Sequence, residues 1–497
     1  MKHTMNLLAF DLGSSNGRGI LGHFDGTSIS MEEVYRFPNS YIEMGGMVYW
    51  DVLHIYANMK QAFQQCRLSA GELAAFGIDA WGNDYGLVDK NGQLLANARS
   101  ARHTTQEDVE RVHRIVPGRE LFHRTGNASY SINTLYQVCR RVHEGDPAIE
   151  NARALLMIPD LLAFFFTGEL HSEYTISTTT MMYHQTNRDW DWELLDRLNI
   201  PRRICQPVLP AGTLSGSLKE SLAEETGVGR VAYAAVGSHD TASACAAVPA
   251  LPGEEDYAFC STGTWSLFGV EAEQPIFLDD MYDNAISNEG TVQGGVRCLK
   301  NIVGLWIIQE CRKQWKRQGM DLSYDEIDAA AREAPPLRSY IDPDDSAFFG
   351  VSSMVDSVKG YCRETGQPIP ETVGEVARSI YEGLAIKYRW TMDFLEGLRG
   401  RPLRHLYLVG GGIQSELMNE FTADCVGRPV TAGPQEAACM GNLLTQAMAL
   451  GEIHGLAQLR EVVRNSSPIR TYEPHPSSAW EEACANMENI IRRRRQK

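Results

Sequence analysis

Two stretches of this chain share one unusual build, and together they restrict the fold more than anything else in it. The first is "LLAFDLGSSNGRGILGHF", residues 7–24; the second is "YAFCSTGTWSLFGVEAE", residues 257–273. In the first, the apolar run Leu7–Phe10 reads as a strand that Asp11 ends. Gly13 to Gly17 form a small-residue turn, and "RGILGHF" reads as a second strand. Asp25-Gly26 then signals a hairpin into "TSISMEEVYRF". The turn therefore joins two antiparallel strands. The familiar phosphate loops run from a strand into a helix, and neither their Gly-x-Gly-x-x-Gly pattern nor a Walker lysine is present. The second stretch repeats the architecture, with Ser261, Thr262, Gly263 and Thr264 as its turn.

A chain of 497 residues exceeds one ordinary core. A duplicated, two-lobed α/β protein with a cleft between the lobes is the economical reading. "VPALPGEED", at 248–256, marks the boundary, giving domains 1–248 and 249–497. Between the two strand–turn–strand units lie a helix at "VLHIYANMKQAFQQCRL", a strand at "AAFGIDAWG" and a hairpin at Asn91-Gly92. Amphipathic helices are expected at 105–117, 133–144 and 191–198. "RVAYAAVGSHDTASACAAV" reads as strand, loop, helix. Later, "RHLYLVGGGIQSELMNEFTADCVGRPV" runs strand, triple glycine, helix, strand, and helices are expected at 374–397 and 435–450.

Composition narrows the partners. The net charge of −17 argues against nucleic acid and anionic membrane. The 11 cysteines form no Cys-x-x-Cys pair, and several sit in apolar runs, as buried free thiols do. No apolar run approaches the ~18 residues of a membrane span, and the apolar part of "MKHTMNLLAF" is too short for a secretion signal, so a cytoplasmic protein is expected. The basic end "IIRRRRQK" reads as a solvated helix end. Oligomeric state, monomer or dimer, is not legible.

Two opposed turns with free amides suit a polyphosphate. Glycine admits the ligand to the backbone, and Ser or Thr hydroxyls add donors. Asp11 could hold Mg²⁺ through water, and Arg18 could fork onto a phosphate; a structural hairpin with a capping aspartate is the bland alternative. Gly410, Gly411 and Gly412 leave no side chain between the backbone and a flat ligand such as adenine. In "GSHDTASA", Asp240 is the best general-base candidate, able to take a proton from a sugar hydroxyl as it attacks a γ-phosphate. A helix-capping aspartate is the competing reading. His239 could orient the sugar or cap the helix. Hydrolase chemistry lacks its Gly-x-Ser-x-Gly elbow. Trp81, Gly82, Asn83 and Asp84 end another strand, where an aromatic beside polar groups suits a sugar; core packing explains Trp81 equally.

The order "FDLGSSNGR", "IDAWGND", "GSHDTASA", "STGTWSL" and "VGGGIQSELMNEFTADCVGRPV" resembles the FGGY carbohydrate kinases along essentially the whole chain. "VYWDV", "TTTMMYHQTNRDWD" and "NEGTVQGGVRCLKNIVGLWIIQE" are most similar to the branch of that family that phosphorylates L-rhamnulose at O1. The resemblance implies two ribonuclease-H-like domains of the actin, Hsp70 and hexokinase kind, with the active site in the cleft. It also implies ATP, Mg²⁺ and transfer of the γ-phosphate to a ketose hydroxyl. Carried over by motif, the phosphate loop falls on Ser14, Ser15, Asn16, Gly17 and Arg18. Thr264, Asn301, Gln309, Gly410 and Gly411 fall at the nucleotide. The sugar site falls on Trp81, Gly82, Asn83, His239, Asp240 and Thr241, with Asp240 as base. The branch usually reads Trp-Gly-Val-Asp where this chain has Asn83, and often Tyr-Arg-Asp where it has Ala98 to Ser100. An amide at 83 could bond a sugar hydroxyl or cap its own turn. The alternatives are therefore a kinase of L-fuculose, L-xylulose or a related ketose, or an inactive nucleotide- or sugar-binding homologue.

Overall fold

The structure is a computed structural model that describes residues 4–495; of the expected basic helix end, Gln496 and Lys497 lie outside the described residues. Strand β1 (Met5–Leu12) pairs antiparallel with β2 (Asn16–Phe24), which pairs antiparallel with β3 (Ile29–Pro38). The strand–turn–strand reading of residues 7–24 is thus the observed one. Helix α1 (Val52–Ala70) follows; the Asp51 side chain caps it by accepting from His54 N, and Gly71 ends it at φ 75°. Its Ile55, Met59, Phe63 and Cys66, spaced by four, four and three, are buried against the sheet. Phe63 meets Phe10, Phe76 and Phe166 at ring separations of 5.2, 5.2 and 5.5 Å.

After α1 the chain enters β4 (Ala75–Ala80), parallel to β1. Strands β5 (Thr213–Ser217) and β6 (Ala232–Ala235) complete the sheet, in the order β5-β6-β4-β1-β2-β3. Helix α2 (Asp240–Ala246) leaves the end of β6.

The second strand–turn–strand unit is β7 (Tyr257–Thr262) and β8 (Trp265–Ala272), again antiparallel. β9 (Ile286–Gly290) and β10 (Val296–Val303) follow, then α3 (Trp306–Arg317) and the long α4 (Val373–Arg399). β11 (His405–Val409), α5 (Glu416–Val426) and β12 (Val430–Ala432) realise the expected strand–glycine–helix–strand, before α6 (Ala437–Ala449) and β13 (Arg470–Tyr472). Here the strand order runs β9-β10-β8-β7-β11-β12-β13, with β7, β11 and β12 parallel. The run β10-β8-β7-β11-β12 has the same pattern as β3-β2-β1-β4-β6, so the duplication is one of topology.

The residues group into two compact units. One comprises 1–247, 271–299 and 437–466; the other comprises 248–270, 300–436 and 467–497. Within the first, α6 packs on β1, β4 and α2. It does so at very short range, because a Cβ on Gly441 would overlap the Ser243 carbonyl oxygen. Gly77 on β4 is equally constrained: its Cβ would lie 2.6 Å from both Asn442 Oδ1 and Val236.

Two local expectations need correction. Asn91-Gly92 does turn the chain, with Gly92 at φ 77° and Asp89 binding the amides of Asn91 and Gln93. Yet Tyr85–Val88 pairs with Ala154–Met157, and only one bridge, Val88 to Leu94, spans the turn. The helix expected at 105–117 stops at His113, and Pro117 begins a second one, Gly118–Thr125. All eleven cysteines are free thiols and nine are buried. Among the described residues, no helix is long and apolar enough to cross a membrane.

Candidate active site

Register places the acidic residues. Asp11 on β1 stands opposite Asp79 on β4, and Ala80, the next residue of β4, bridges to His239. Asp11, Asp79 and Asp240 thus emerge at the carboxyl ends of three neighbouring parallel strands, where open α/β sheets bind their ligands.

Asp240 is the first residue of α2. Its Oδ1 accepts from Thr241 N at 2.5 Å and from Thr241 Oγ1 at 3.1 Å, and faces His239 Nε2 at 3.5 Å. Oδ2 is left to receive a proton. The side chain is 35% exposed, enough to meet a substrate. Its carboxyl is held above the ordinary value by burial and by the charge of Asp11, while His239 pulls it down. Gly82 completes the group: a Cβ there would lie 3.4 Å from Thr179 Oγ1 and 3.6 Å from His239 Nε2. Gly82, His239, Asp240 and Thr241 are therefore brought together.

Asp11 is buried and its carboxylate pairs with Arg18, across the β1–β2 hairpin. Cys439 Sγ also donates to Asp11 Oδ2, at 3.3 Å. Between the two strands, Ser14 and Ser15 are exposed at the tip, while Asn39 binds the loop from outside through Gly13 O (2.7 Å) and Ser15 O (3.0 Å). The loop carbonyls are thus engaged and the serine hydroxyls are free to face a ligand. Gly17 has a packing reason to be glycine, since a Cβ would overlap the Phe37 ring; Asn16 Oδ1 is held by Arg36.

Asp79, in the middle of "GIDAWG", was not singled out by sequence reasoning. It is fully buried; Asn442 Nδ2 donates to its Oδ2 at 2.6 Å, and its Oδ1 has no protein partner. Burial first, and then the charge of Asp11, push its carboxyl well above the ordinary value. The only signal was a carboxylate inside an otherwise apolar strand. Asp11, paired with Arg18 and close enough to raise the carboxyls of Asp79 and Asp240, is a hard oxygen donor of the kind that suits Mg²⁺ held by one carboxylate, waters and phosphate oxygens. Among the described residues no group of three or more ligating side chains forms a protein cage for a metal.

Trp81 packs against Trp50 at a ring separation of 4.3 Å. Both indole N–H groups donate to Asp84 Oδ2, at 2.9 and 2.6 Å, and Ala101 N donates to Asp84 Oδ1 at 2.8 Å. Asp84 is a structural hub, pushed up to about 6 by burial against those three donors. Asn83 sits at φ 73° in the left-handed region. Its carbonyl accepts from Thr134 Oγ1 and Gln137 Nε2, at 2.8 and 2.9 Å. Asn tolerates this backbone, and a β-branched Val does not.

In the second unit, Thr264 is exposed on the β7–β8 turn and its Oγ1 donates to Gln309 Oε1 at 3.3 Å. The turn is fastened to the start of α3 by Leu305 N to Gly263 O (2.9 Å) and Trp306 N to Thr264 O (3.2 Å). Gly304 allows this, since its Cβ would lie 2.8 Å from Gly263 O. Asn301, on β10, has a buried Oδ1 without a protein partner. The three glycines divide their roles. A Cβ on Gly410 would lie 2.9 Å from Thr262 O, and one on Gly412 would lie 2.5 Å from Thr262 Oγ1. A Cβ on Gly411 would meet open space. Packing thus requires the outer two, and only Gly411 is glycine without an internal reason.

Comparison with known proteins bears on the chain as a whole. Residues 6–247 match the N-terminal domain of the FGGY family of carbohydrate kinases, and residues 258–450 match its C-terminal domain. A rhamnulokinase of Bacteroides thetaiotaomicron is 37% identical over 489 residues, covering 98% of this chain and 99% of the relative. One of Bacillus subtilis is 32% identical, covering 94% and 95%. Among solved structures, a ligand-bound xylulose kinase of Lactobacillus acidophilus aligns with a TM-score of 0.79 at 15% identity, over 98% of this chain and 96% of that one. Plasmodium falciparum glycerol kinase with ADP aligns with a TM-score of 0.79 at 13% identity, over 99% and 98%.

Proposed function

Since this chain belongs to the FGGY family of carbohydrate kinases and is a sugar kinase of that two-domain fold, we propose that it transfers the γ-phosphate of ATP to O1 of L-rhamnulose. The observation that carries the chemistry is Asp240: a partly exposed carboxylate with one oxygen engaged and one free, beside His239 and Gly82. The choice of sugar rests on the near-complete coverage of the rhamnulokinase relatives.

Asp240 Oδ2 takes the proton of the sugar O1–H as that oxygen bonds to the γ-phosphorus, and ADP departs with the electrons of the broken P–O bond. Gly82, His239 and Thr241 position the sugar, with Trp81 and Asn83 beside them. Ser14, Ser15, Asn16, Gly17 and Arg18 cradle phosphate on one turn, and Thr264 does so on the other. Asn301, Gln309, Gly410 and Gly411 line the nucleoside. Mg²⁺, held by Asp11 through water, would spread the charge on the transferred phosphate. Arg18 then exchanges its Asp11 carboxylate for a phosphate oxygen. A cytoplasmic location accords with dependence on the ATP pool.

Asn83 bears on the sugar. Its positive φ accounts for the asparagine without a polar pocket, which favours L-rhamnulose over a 6-hydroxy ketose. Glycine is the fitting replacement at this φ, and valine would strain the turn. The test is kcat/KM for L-rhamnulose, L-fuculose and L-fructose in the wild type and in Asn83→Gly. L-rhamnulose should lead in both. A wild type that turned over L-fructose or L-fuculose much faster would refute the sugar and leave the kinase standing.

A further inference from the structure

The stretch "NEGTVQGGVRCLKNI" contributes two charged residues to the sugar side of the site, Glu289 at the end of β9 and Arg297 in β10. Arg297 is completely buried. Its Nη2 lies 2.6 Å from His239 Nδ1 and 2.8 Å from Glu289 Oε2, and its Nη1 donates to Gly290 O. Glu289 Oε2 lies 3.3 Å from the same Nδ1.

These distances fix the proton on the ring. A guanidinium nitrogen has hydrogens and no lone pair to offer, so whatever faces it must accept. Nη2 carries two hydrogens, one for Glu289 and one for Nδ1. A hydrogen on Nδ1 would collide with that donor at 2.6 Å. The carboxylate, farther off and already bonded to Nη2, does not compete. Nδ1 is therefore bare and Nε2 carries the hydrogen. Nε2 is the atom that faces Asp240 Oδ1 at 3.5 Å and Gly82.

The surroundings agree. Burial would push the Glu289 carboxyl up, and the charge and hydrogen bond of Arg297 act against it, so a carboxylate balances the buried guanidinium. The His239 backbone is pinned as well: its N–H donates to Thr175 Oγ1 at 3.3 Å, and Ser238 N donates to Glu173 Oε2 at 3.2 Å. Backbone and ring are thus both held, and the ring has one way to face the sugar.

We propose that Arg297 and Glu289 are positioning residues that hold His239 in its Nε2–H tautomer. The imidazole then donates a hydrogen bond toward the Asp240 carboxylate and the sugar oxygens, and cannot act as a rival base. This extends the role of Asp240 given above and rests on that reading for its catalytic meaning. The arrangement is the reverse of a histidine whose Nδ1–H is held by a carboxylate, which leaves Nε2 free to accept a proton.

The test is ¹⁵N NMR of histidine-labelled full-length protein, with the His239 signals assigned by their loss in His239→Gln. In the wild type, Nδ1 should resonate as an unprotonated nitrogen and Nε2 as a protonated one. Arg297→Met removes the donor, so Nδ1–H should form toward Glu289, and kcat should fall about 10- to 100-fold with a smaller change in the KM for ATP, as for other side chains that orient a histidine. In Arg297→Met with Glu289→Gln, the new amide can donate to Nδ1, which should restore the bare Nδ1 and part of the lost kcat. A protonated Nδ1 in the wild type overturns the proposal, and that measurement needs no variant at the ion pair. An unchanged tautomer in folded Arg297→Met overturns it too. The ring signals do not depend on substrate, so an enzyme inactive on every ketose but with a bare Nδ1 would refute the sugar assignment and leave this one intact.

Discussion

At the scale of single residues, Asp240 and Gly411 bear the strongest expectations. Asp240→Asn keeps the shape and the Thr241 contacts but cannot take a proton, so kcat should fall about 10²- to 10⁴-fold while the KM for ATP changes little. A rate near wild type in an ADP-release assay would remove Asp240 as base. The wild-type pH profile follows from the same carboxylate. If Asp240 is the base, the active form is the anion and activity should be lost as pH falls through its pKa. Because burial and Asp11 raise that pKa, the acid limb of kcat/KM should lie above the ordinary carboxylate range near ~3.9. A limb at or below that range would contradict the environment described for Asp240. The glycines separate ligand from packing. Gly411→Val faces open space and should leave the melting temperature unchanged while raising the KM for ATP more than that for sugar. Gly412→Val meets Thr262 and should lower the melting temperature. Equal melting losses in both would deny Gly411 its separate role.

At the scale of elements, the decisive contact is the crossing of α2 and α6. Gly441 lets α6 sit directly on the backbone of Ser243, three residues beyond Asp240. Gly441→Ala should push the helices apart and destabilise the protein by ~1–3 kcal/mol, read as a shift of the denaturant midpoint at constant slope. Since α2 carries Asp240, kcat should fall as well, in protein that remains folded. A neutral alanine would mean that the crossing has slack. The elements themselves were mostly legible. The apolar runs, the hairpin signal Asp25-Gly26 and the stretch "VLHIYANMKQAFQQCRL" gave β1 to β3 and α1 close to their observed bounds. The expected hairpin at Asn91-Gly92 was not formed in full, because Tyr85–Val88 finds a better partner in the distant apolar run Ala154–Met157. A turn signal specifies the turn and leaves the pairing to the rest of the fold.

At the scale of the whole molecule, the first unit closes only when 437–466 returns to it. Asn442 and Gln446 of α6 reach Asp79 Oδ2 and Leu8 O, at 2.6 and 3.0 Å, on strands buried from Leu7 to Leu12 and from Ala75 to Ala80. A fragment ending at residue 247 would leave one face of β1 and β4 bare and Asp79 without its donor. It should show no cooperative thermal transition in near-UV circular dichroism, although it spans the N-terminal family match. A sharp transition in that fragment would refute the dependence on α6.

The sequence by itself determined the parts whose signals are local. These are the two small-residue turns between antiparallel strands, the triple glycine after a strand and the His-Asp pair at a helix start. Each depends on neighbours a few residues away, and their order along the chain was enough to point to the family. Tertiary structure alone decided what each residue touches. It separated Gly411 from Gly410 and Gly412, gave Asn83 a backbone reason, and set Asp79 between Asp11 and Asn442. It also placed Arg297 on the Nδ1 of His239, 58 residues earlier in the chain. The physical reason is that register and helix crossings bring these groups within 3 Å, and no periodicity records which distant partner will satisfy a buried charge.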